Sequence, residues 1–483
     1  MLRTLVALML LASLAQAAST APAPFDFDAT LRIDLNHSGR AGEDVYALDR
    51  LHREGEWPGP RADLTDDLGL GRSLAELRDP ETDTVLWSRG FDTYCGEWQT
   101  TAPAAQGVWR TYHESVRTPF PAQPVTLVLQ VRGDDGTYAE VYRLDIDPAD
   151  VEIRRDPQDA DLQVVEAHVG GAPSHVVDVV ILGDGYTAQD AAKFEADVHR
   201  FAEALLSVEP FASMKDRFSI RGVLKPSQER GCDEPTRGVH RNTALGCTFN
   251  SLGSTRYMLT EDNRAIRNAA RAAPYDVLSV MVNHERYGGG GIYNLFNTFT
   301  SDNQWSEYVF VHEFGHGFAG LADEYYSSST SYTDFYPAGY EPAERNITRD
   351  PQARGKWGDL VTGPAPTPWN KAEYDAMDAV YMEKRAETNA RIAALMTGGA
   401  AQAEIDRAIA DGEELSRSHQ AMLDGWFARQ PQHGTVGVYE GAGYCSEGVY
   451  RAELDCIMFT KGLKGFCAAC GRGIGEVVKD ATD

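Results

Sequence analysis

Two histidines and a glutamate stand at a spacing that could do metal chemistry. His312, Glu313 and His316 form an HExxH pattern. At about 3.6 residues per helical turn, both imidazoles lie on one helix face and can bind the same metal ion. A chain with 12 histidines in 483 residues is expected to contain such a pattern by chance only about 0.02 times. Two imidazoles and a carboxylate suit Zn²⁺ and leave a position for water, from which Glu313 would take a proton. The sequence therefore predicts one catalytic zinc ion that supports hydrolysis.

The third metal ligand is expected just after this helix. Gly320 can adopt the left-handed conformation that ends a helix, which would turn Asp323 and Glu324 back toward the metal. In the metzincin pattern HExxHxxGxxH and its Asp variant, the glycine lies three residues after the second histidine and the ligand three residues later. Here Gly320 follows His316 by four residues and precedes Asp323 by three. We predict Asp323 as the ligand and keep Glu324 as the alternative; both acids could instead only orient a histidine.

Further side chains could complete such a site. The segment Asp455-Cys456-Ile457-Met458 resembles the Met-turn beneath the zinc ion of metzincins, which makes Met458 a candidate support. The oxyanion that develops during hydrolysis needs a hydrogen-bond donor besides the metal, and a tyrosine hydroxyl could serve. The candidates are Tyr325, Tyr326, Tyr444 and Tyr450. The sequence does not choose among these four.

Three stretches of sequence carry a family resemblance. They are VVILGDGY at Val179–Tyr186, HEFGHGFAGLADEYY at His312–Tyr326 and YEGAGYCSEGVYRAELDCIM at Tyr439–Met458. They resemble the IgA peptidase family of secreted bacterial zinc endopeptidases, and the resemblance runs from about Ser174 to Ile474. It implies metalloendopeptidase activity and an N-terminal β-domain. An immunoglobulin A substrate is not carried over, because nothing in these residues encodes a preference for an antibody hinge.

A glycine-rich stretch precedes the predicted metal helix. Gly288–Gly291 lie in YGGGGIYNLFNTFT, which begins at Tyr287. Peptide cleavage needs an extended substrate backbone beside the metal, and an exposed strand edge can hold one by pairing with it. Glycines allow close backbone approach at such an edge, and a mobile loop is the alternative. No Lys-Ser or Lys-Thr follows, so the stretch does not predict phosphate binding.

The hydrophobic patterning divides the chain into two domains. Alternating apolar residues and a GDDG turn predict an all-β sandwich over residues 18–160, followed by a polar linker at 156–174. Apolar strand runs then alternate with amphipathic helices, which predicts an α/β (α+β) catalytic domain over 172–483, and the motifs above make it zincin- or metzincin-like. A stretch at about 369–430 predicts a helical insertion that turns at Gly398-Gly399. This insertion either covers the active site or forms a surface hairpin, which is the commoner arrangement.

Charge and the N-terminus limit the partners and the compartment. Lys plus Arg total 45 against 72 Asp plus Glu, a formal charge of -27, which is the wrong sign for binding nucleic acids or anionic lipids. Arg3, the apolar run Leu5–Leu14 and Ala15-Gln16-Ala17 predict a signal peptide over residues 1–17. We therefore expect a secreted or periplasmic protein with no membrane span after cleavage. The expected partners are protein or peptide substrates, and the oligomeric state is left open.

Export would permit disulfides among the seven cysteines. Four of them crowd the C-terminus: Cys445, Cys456, Cys467 and Cys470. Cys467-Ala-Ala-Cys470 could be a redox motif or half of a zinc knuckle, but no second CxxC or nearby histidine completes a four-ligand set. A structural disulfide or plain buried thiols are therefore favoured.

Two other functions fit parts of the sequence. A non-catalytic binder of carbohydrates or surface proteins would use the β-domain and a structural metal, but a structural site needs no general base at Glu313. A metal-dependent hydrolase of esters or N-acyl sugars would apply the same motif to another bond. The preferred hypothesis is a secreted zinc-dependent endopeptidase.

Overall fold

The computed structural model describes residues 24–133, 135–327, 336 and 339–482. The predicted signal peptide at residues 1–17 lies outside the described part of the chain. Within that part, the structure contains no helix that is both long and apolar enough to span a membrane.

The first domain is rich in β-structure, as predicted. Its elements are β1 (Phe25–Arg40), β2 (Glu43–Glu54), β3 (Ser73–Arg78), β4 (Val85–Phe91), α1 (Tyr94–Gln99), α2 (Ala102–Ala105), β5 (Arg110–Pro121), β6 (Val125–Arg132) and β7 (Tyr138–Ile146). The strands form two antiparallel sheets, ordered β2-β1-β5 and β4-β3-β6-β7. Because alternate side chains of a strand point to one face, Ile33, Leu77 and Leu127 meet in one core between the sheets.

A buried histidine between two carboxylates stabilises this domain. His37 Nδ1 lies 2.9 Å from Glu114 Oε2, and His37 Nε2 lies 2.8 Å from Asp44 Oδ1. Burial alone would lower the pKa of His37 from its usual 6.5, but the two carboxylates outweigh burial and raise this pKa to about 11. His37 is therefore a cation in the folded protein at neutral pH.

We expect His37→Gln to lower the free energy of unfolding by about 3–5 kcal/mol near neutral pH, because it leaves two buried carboxylates without their cation. The folded-state pKa lies above the unfolded one, so this stabilisation is complete below about pH 6.5 and declines as the pH rises toward about 11. The stability gap between wild type and variant should therefore shrink from about pH 6 to about pH 10 in urea unfolding followed by tryptophan fluorescence. The matched control is His175→Gln, at an exposed histidine. A gap that stays constant with pH would contradict the assignment of the charge to His37.

The second domain begins with a mixed sheet and the helices around it. Its first elements are β8 (Gln163–His168), β9 (Val177–Asp184), α3 (Ala191–Leu206), β10 (Phe218–Leu224), α4 (Asn263–Ala270), β11 (Val277–Val282), β12 (Gly289–Ile292), β13 (Phe296–Thr300) and α5 (Ser306–Ala319). Among the described residues the strand order is β12-β13-β11-β9-β10-β8. The four central strands are parallel, and the edge strands β12 and β8 run antiparallel to their neighbours. This mixed α/β architecture agrees with the prediction.

The predicted linker at 156–174 is wrong in one respect, because it contains β8. This strand pairs with β10 at the edge of the sheet. Its side chains are exposed or half-buried, so its sequence is more polar than that of a central strand and gave no strand signal.

The remainder of the second domain consists of a helical pair, a small sheet and a final helix. The elements are β14 (Ile347–Thr348), α6 (Lys371–Thr397), α7 (Gln402–Phe427), β15 (Tyr439–Ala442), β16 (Cys445–Arg451) and α8 (Ala468–Thr482). The small sheet has the order β14-β16-β15. Helices α6 and α7 turn at Gly398-Gly399 as predicted, and Gly399 has a φ of +66° that favours glycine.

The first domain packs firmly against the second. Tyr94 and Trp98 of α1 share a buried apolar cluster with Leu182 of β9. Polar contacts cross the same boundary. Arg32 Nη2 donates to Asn268 Oδ1 over 3.0 Å, and Arg117 Nη1 donates to the backbone carbonyl of Tyr275 over 2.7 Å. The first domain is therefore held in place beside the sheet that carries the predicted metal helix.

Candidate metal centre

The chain reverses at the end of α5 as the sequence predicts. Gly320 has a φ of +56°, and its N–H donates to the carbonyl of His316 over 3.0 Å. The next amide, of Leu321, donates to the carbonyl of Gly315 over 3.2 Å. These bonds satisfy carbonyls that a helix end leaves free, and the left-handed glycine turns the following segment back along the helix.

The reversal brings three predicted ligand residues together. The Nε2 atoms of His312 and His316 lie 3.1 Å apart, and Asp323 Oδ1 lies 3.1 Å from the first and 3.2 Å from the second. His312 and Asp323 are buried, whereas His316 is half-buried. The three atoms form a nearly equilateral triangle. Ligands at the usual Zn–N and Zn–O distances of about 2.0–2.1 Å in tetrahedral geometry are separated by about 3.3–3.4 Å, so the triangle fits one zinc ion.

The hydrogen bonds of the two histidines favour a cation in the same place. His312 Nδ1 lies 3.0 Å from the carbonyl oxygen of Ile457, and His316 Nδ1 lies 2.5 Å from that of Leu321. A carbonyl only accepts, so each Nδ1 carries a proton and Nε2 is the ring nitrogen that can bind a metal. Both Nε2 atoms and a carboxylate oxygen then face one another at close range. A metal ion bound there would replace any proton on Nε2, and the backbone bonds fix both rings.

Electrostatics keep the third ligand ionised. Burial would raise the pKa of Asp323, but His316 and His312 outweigh it and hold this pKa well below its usual value. Burial would lower the pKa of His316, and the Asp323 carboxylate overrides that effect and raises it to about 9. The carboxylate is thus in the form that binds metals.

Glu313 occupies a different position from the three ligand residues. Its carboxylate lies against the edge strand β12, where a Cβ added to Gly291 would be 3.3 Å from Glu313 Oε2. Burial raises the pKa of Glu313, while the charges of His312 and His316 oppose that rise. A carboxylate with a raised pKa is better suited to accept and return a proton near neutral pH.

Asp323 and Glu324 point to opposite sides of the returning segment, as neighbouring residues in extended chain do. The Asp323 side chain faces the histidines, and its second oxygen accepts a hydrogen bond from the Tyr444 hydroxyl. The backbone fixes the same residue, because Gly443 N–H donates to the Asp323 carbonyl over 3.1 Å. Glu324 is fully buried on the far side, where its Oε1 lies 3.2 Å from Cys470 Sγ. This arrangement favours Asp323 over Glu324 as the third ligand.

Glycines let two segments approach α5 closely. A Cβ on Gly315 would lie 3.1 Å from Met458 Sδ, so the predicted Met-turn residue sits directly against the metal helix. A Cβ on Gly291 would lie 2.7 Å from the Glu313 carbonyl oxygen, a distance that forces something to shift. The glycine stretch is therefore an edge strand packed on α5, and the mobile-loop alternative does not describe it.

The four oxyanion candidates separate into two pairs. Tyr325 and Tyr444 pack edge to face beside Asp323, with 5.4 Å between ring centroids. The Tyr326 hydroxyl donates to Asp375 Oδ1 of α6 over 2.6 Å, and Tyr450 lies within β16. The structure thus brings Tyr325 and Tyr444 to Asp323, one of the predicted ligand residues, and places the other two elsewhere.

Family comparison fits this site. The family model described as IgA Peptidase M64 matches residues 165–478, and the model for the Peptidase M64 N-terminus matches residues 24–143. The chain belongs to the IgA peptidase M64 family. The predicted family resemblance is confirmed, and membership implies a metal-dependent peptidase that acts on protein substrates. A search of curated proteins found no match.

The cleft of this M64 chain includes elements that the sequence did not place there. It is lined by the three predicted ligand residues, the edge strand, the α1 region of the first domain, and both helices of the α6–α7 pair. The structure therefore favours the covering arrangement of these helices over a plain surface hairpin. Arg256 also lines this cleft. Burial would lower the pKa of Arg256, but the side chains of Tyr325, Tyr287 and Asp323 outweigh burial and raise it. No motif surrounds Arg256, so only the folded chain reveals this fixed cation.

Proposed function

We propose that this M64 chain is an exported zinc-dependent endopeptidase with a metzincin-like catalytic domain. The observation that carries the proposal is the convergence of His312, His316 and Asp323 beside Glu313 in one cleft. A site with three protein ligands and an adjacent carboxylate that is not a ligand is typical of catalytic zinc. The contact of Met458 with the metal helix supports the metzincin-like assignment.

Each side chain has a distinct role in the proposed reaction. His312, His316 and Asp323 would hold the ion. Zinc at this position supplies Lewis acidity, which makes water a better nucleophile and polarises the scissile carbonyl. Glu313 accepts the proton of the attacking water and returns it to the leaving amine. The proposed donor to the oxyanion is the hydroxyl of Tyr325 or of Tyr444, whose rings pack beside Asp323.

The edge strand β12 would align the substrate. It is the outermost strand of the main sheet and lies against α5 next to Glu313. Gly289 already forms a β-bridge with Tyr257, so an extended peptide would pair with the remainder of this edge, which would place one of its internal peptide bonds beside the proposed metal ligands. The cleft volume of about 2460 Å³ exceeds the roughly 300–1,000 Å³ of sites for small ligands. This size supports a polypeptide substrate over a small ester or an acyl sugar.

The maturation and domain limits are also part of the proposal. Removal of residues 1–17 would release a secreted or periplasmic protein with a β-domain at 18–160 and a catalytic domain at 172–483. The helical segment at about 369–430 would be an insertion that forms one wall of the cleft. Its Tyr326–Asp375 hydrogen bond ties α6 to the segment that follows Asp323, which supports a role in shaping the cleft.

Metal removal tests the function directly. We expect a chelator to abolish cleavage of an unfolded protein substrate, and stoichiometric Zn²⁺ to restore it, because the attacking water would have no Lewis acid without the ion. Mass spectrometry of the products should show cuts at internal peptide bonds. The control is the same protein incubated with zinc-saturated chelator, which cannot remove the ion and should leave cleavage intact. Cleavage that survives metal removal, or hydrolysis confined to small esters and acyl sugars, would rule out the proposal.

A further inference from the structure

Three cysteines and one glutamate form a buried cluster behind the metal centre. Glu324, Cys456, Cys467 and Cys470 are each at most 2% exposed, and their ligand atoms all lie within 4.8 Å of one another. Far apart in sequence, they come from the segment after α5, the turn that holds Met458, and the start of α8. The sequence offers no second CxxC or nearby histidine to complete a four-ligand set around Cys467-Ala-Ala-Cys470, and the fold brings Glu324 and Cys456 there instead.

The distances within this cluster fit a single tetrahedral ion. Cys456 Sγ lies 3.8 Å from Cys470 Sγ, and Glu324 Oε1 lies 3.2 Å from Cys470 Sγ and 3.4 Å from Cys467 Sγ. With Zn–S bonds of about 2.3 Å and a Zn–O bond of about 2.0 Å, tetrahedral geometry separates two sulfurs by about 3.8 Å and sulfur from oxygen by about 3.5 Å. The space between the four atoms holds one ion and is too small for a cluster of several irons.

One oxygen of the Glu324 carboxylate is left unsatisfied by the protein alone. Its Oε1 accepts hydrogen bonds from Asn346 Nδ2 over 3.2 Å and, when they are protonated, from the Cys470 and Cys467 thiols. Its Oε2 has no hydrogen-bond partner among the residues that the structure describes, although the side chain is fully buried. Burying a carboxylate without a partner is costly, whereas a bound cation removes that cost. Asn346 then plays the orienting role usual for a residue that hydrogen-bonds to a metal ligand.

Backbone amides point at the sulfur atoms. Cys467 N–H and Met458 N–H donate to Cys456 Sγ over 3.2 and 3.5 Å, and Cys470 N–H donates to Cys467 Sγ over 3.5 Å. Cys467 directly precedes α8, a helix of 15 residues, whose N-terminus favours negative charge. Both features stabilise thiolates, which are the form of cysteine that binds metals.

We propose that Glu324, Cys456, Cys467 and Cys470 bind a second Zn²⁺ in a closed structural site. Four protein ligands leave no position for water, so this ion does not catalyse. It would join the chain next to Asp323 to the turn whose Ile457 carbonyl accepts a hydrogen bond from His312 Nδ1–H. The second ion would thereby fix two segments that position the proposed catalytic site. A disulfide between two of the cysteines would instead leave the buried Glu324 Oε2 with neither a hydrogen-bond donor nor a cation.

Metal content of the purified full chain tests this site. We expect two zinc ions per wild-type chain by elemental analysis, and one in the double variant Cys467→Ser/Cys470→Ser. The matched control Cys445→Ser, at a half-buried cysteine outside the cluster, should keep both. One zinc in the wild type that persists in the double variant would overturn the second site. One zinc in the wild type whose replacement by Co²⁺ gives thiolate charge-transfer absorption would support it and contradict the proposed catalytic site instead.

Two measurements on wild-type protein avoid any dependence on folding of the variants. Replacement of zinc by Co²⁺ should give the near-ultraviolet charge-transfer absorption of cobalt bound to thiolates, which the His312–His316–Asp323 site cannot produce. Alkylation of the unfolded, unreduced protein followed by peptide mapping should modify all three cluster cysteines. Absence of the cobalt–thiolate band, or a disulfide between any two of these cysteines, would overturn the proposal.

Discussion

Glu313→Gln should lower kcat about 100- to 10,000-fold while the protein keeps its metal, because a positioned general base contributes roughly that factor. The glutamine side chain has nearly the same shape but cannot accept a proton from water. Glu313 lies against β12 and outside the triangle of metal ligands, so its replacement leaves the ion's binding groups intact. The measurement is initial-rate cleavage of a quenched-fluorescent peptide, with zinc content determined on the same samples.

A second glutamate on the same helix provides the control. Glu307 lies in the first turn of α5, and the ion pair that it forms with Arg200 Nη1 at 3.6 Å is partly exposed. Such a pair is worth about 0–1 kcal/mol, so Glu307→Gln should keep both activity and metal. Two results would contradict the role of Glu313: cleavage at the wild-type rate in Glu313→Gln, or loss of the active-site metal from it. The second result would make Glu313 a ligand.

Local signals in the sequence were sufficient for the metal helix and much of the sheet around it. The HExxH spacing and Gly320 act within a few residues, and the structure places the helix end where the glycine predicts it. Apolar runs identified β9 and β11 because strands buried on both faces are apolar throughout. These elements depend on neighbouring residues alone, so one chain was enough to infer them.

Features that depend on distant residues could not be inferred in the same way. The cysteine cluster needs Glu324, which no spacing rule connects to Cys456 or Cys467. Helix α6 buries few of its side chains, so its pattern predicts a helix without indicating which surface it packs on. Tyr444 has a φ of +62°, a left-handed conformation that is uncommon for tyrosine and that its sequence neighbours do not predict. Its hydrogen bond to Asp323 depends on the position of the β15–β16 turn beside the predicted ligand residues.

Asp323→Ala should weaken zinc binding at the histidine site by more than about 100-fold, since even residues that only hydrogen-bond to a metal ligand contribute about 10- to 100-fold. The variant loses one of three proposed ligand atoms and with it the negative charge that would attract the ion. Competition with a chromogenic chelator measures the affinity. Peptidase activity should fall in parallel when zinc is limiting and recover only partly at high zinc concentration.

Glu324→Gln separates the two acids that the sequence left as alternatives. Its side chain faces the cysteines, so the substitution should leave the histidine site within about tenfold of the wild-type affinity, in the range of an indirect effect. Cobalt-loaded Asp323→Ala should keep the thiolate absorption because the cysteine site is intact. If Asp323→Ala instead retained the active-site ion while Glu324→Gln lost it, Glu324 would be the third ligand and the two acids would exchange roles. We expect zinc to be lost from the histidine site in Asp323→Ala and retained there in Glu324→Gln. These neighbouring side chains point in opposite directions, and one extended segment cannot direct both carboxylates at the same ion.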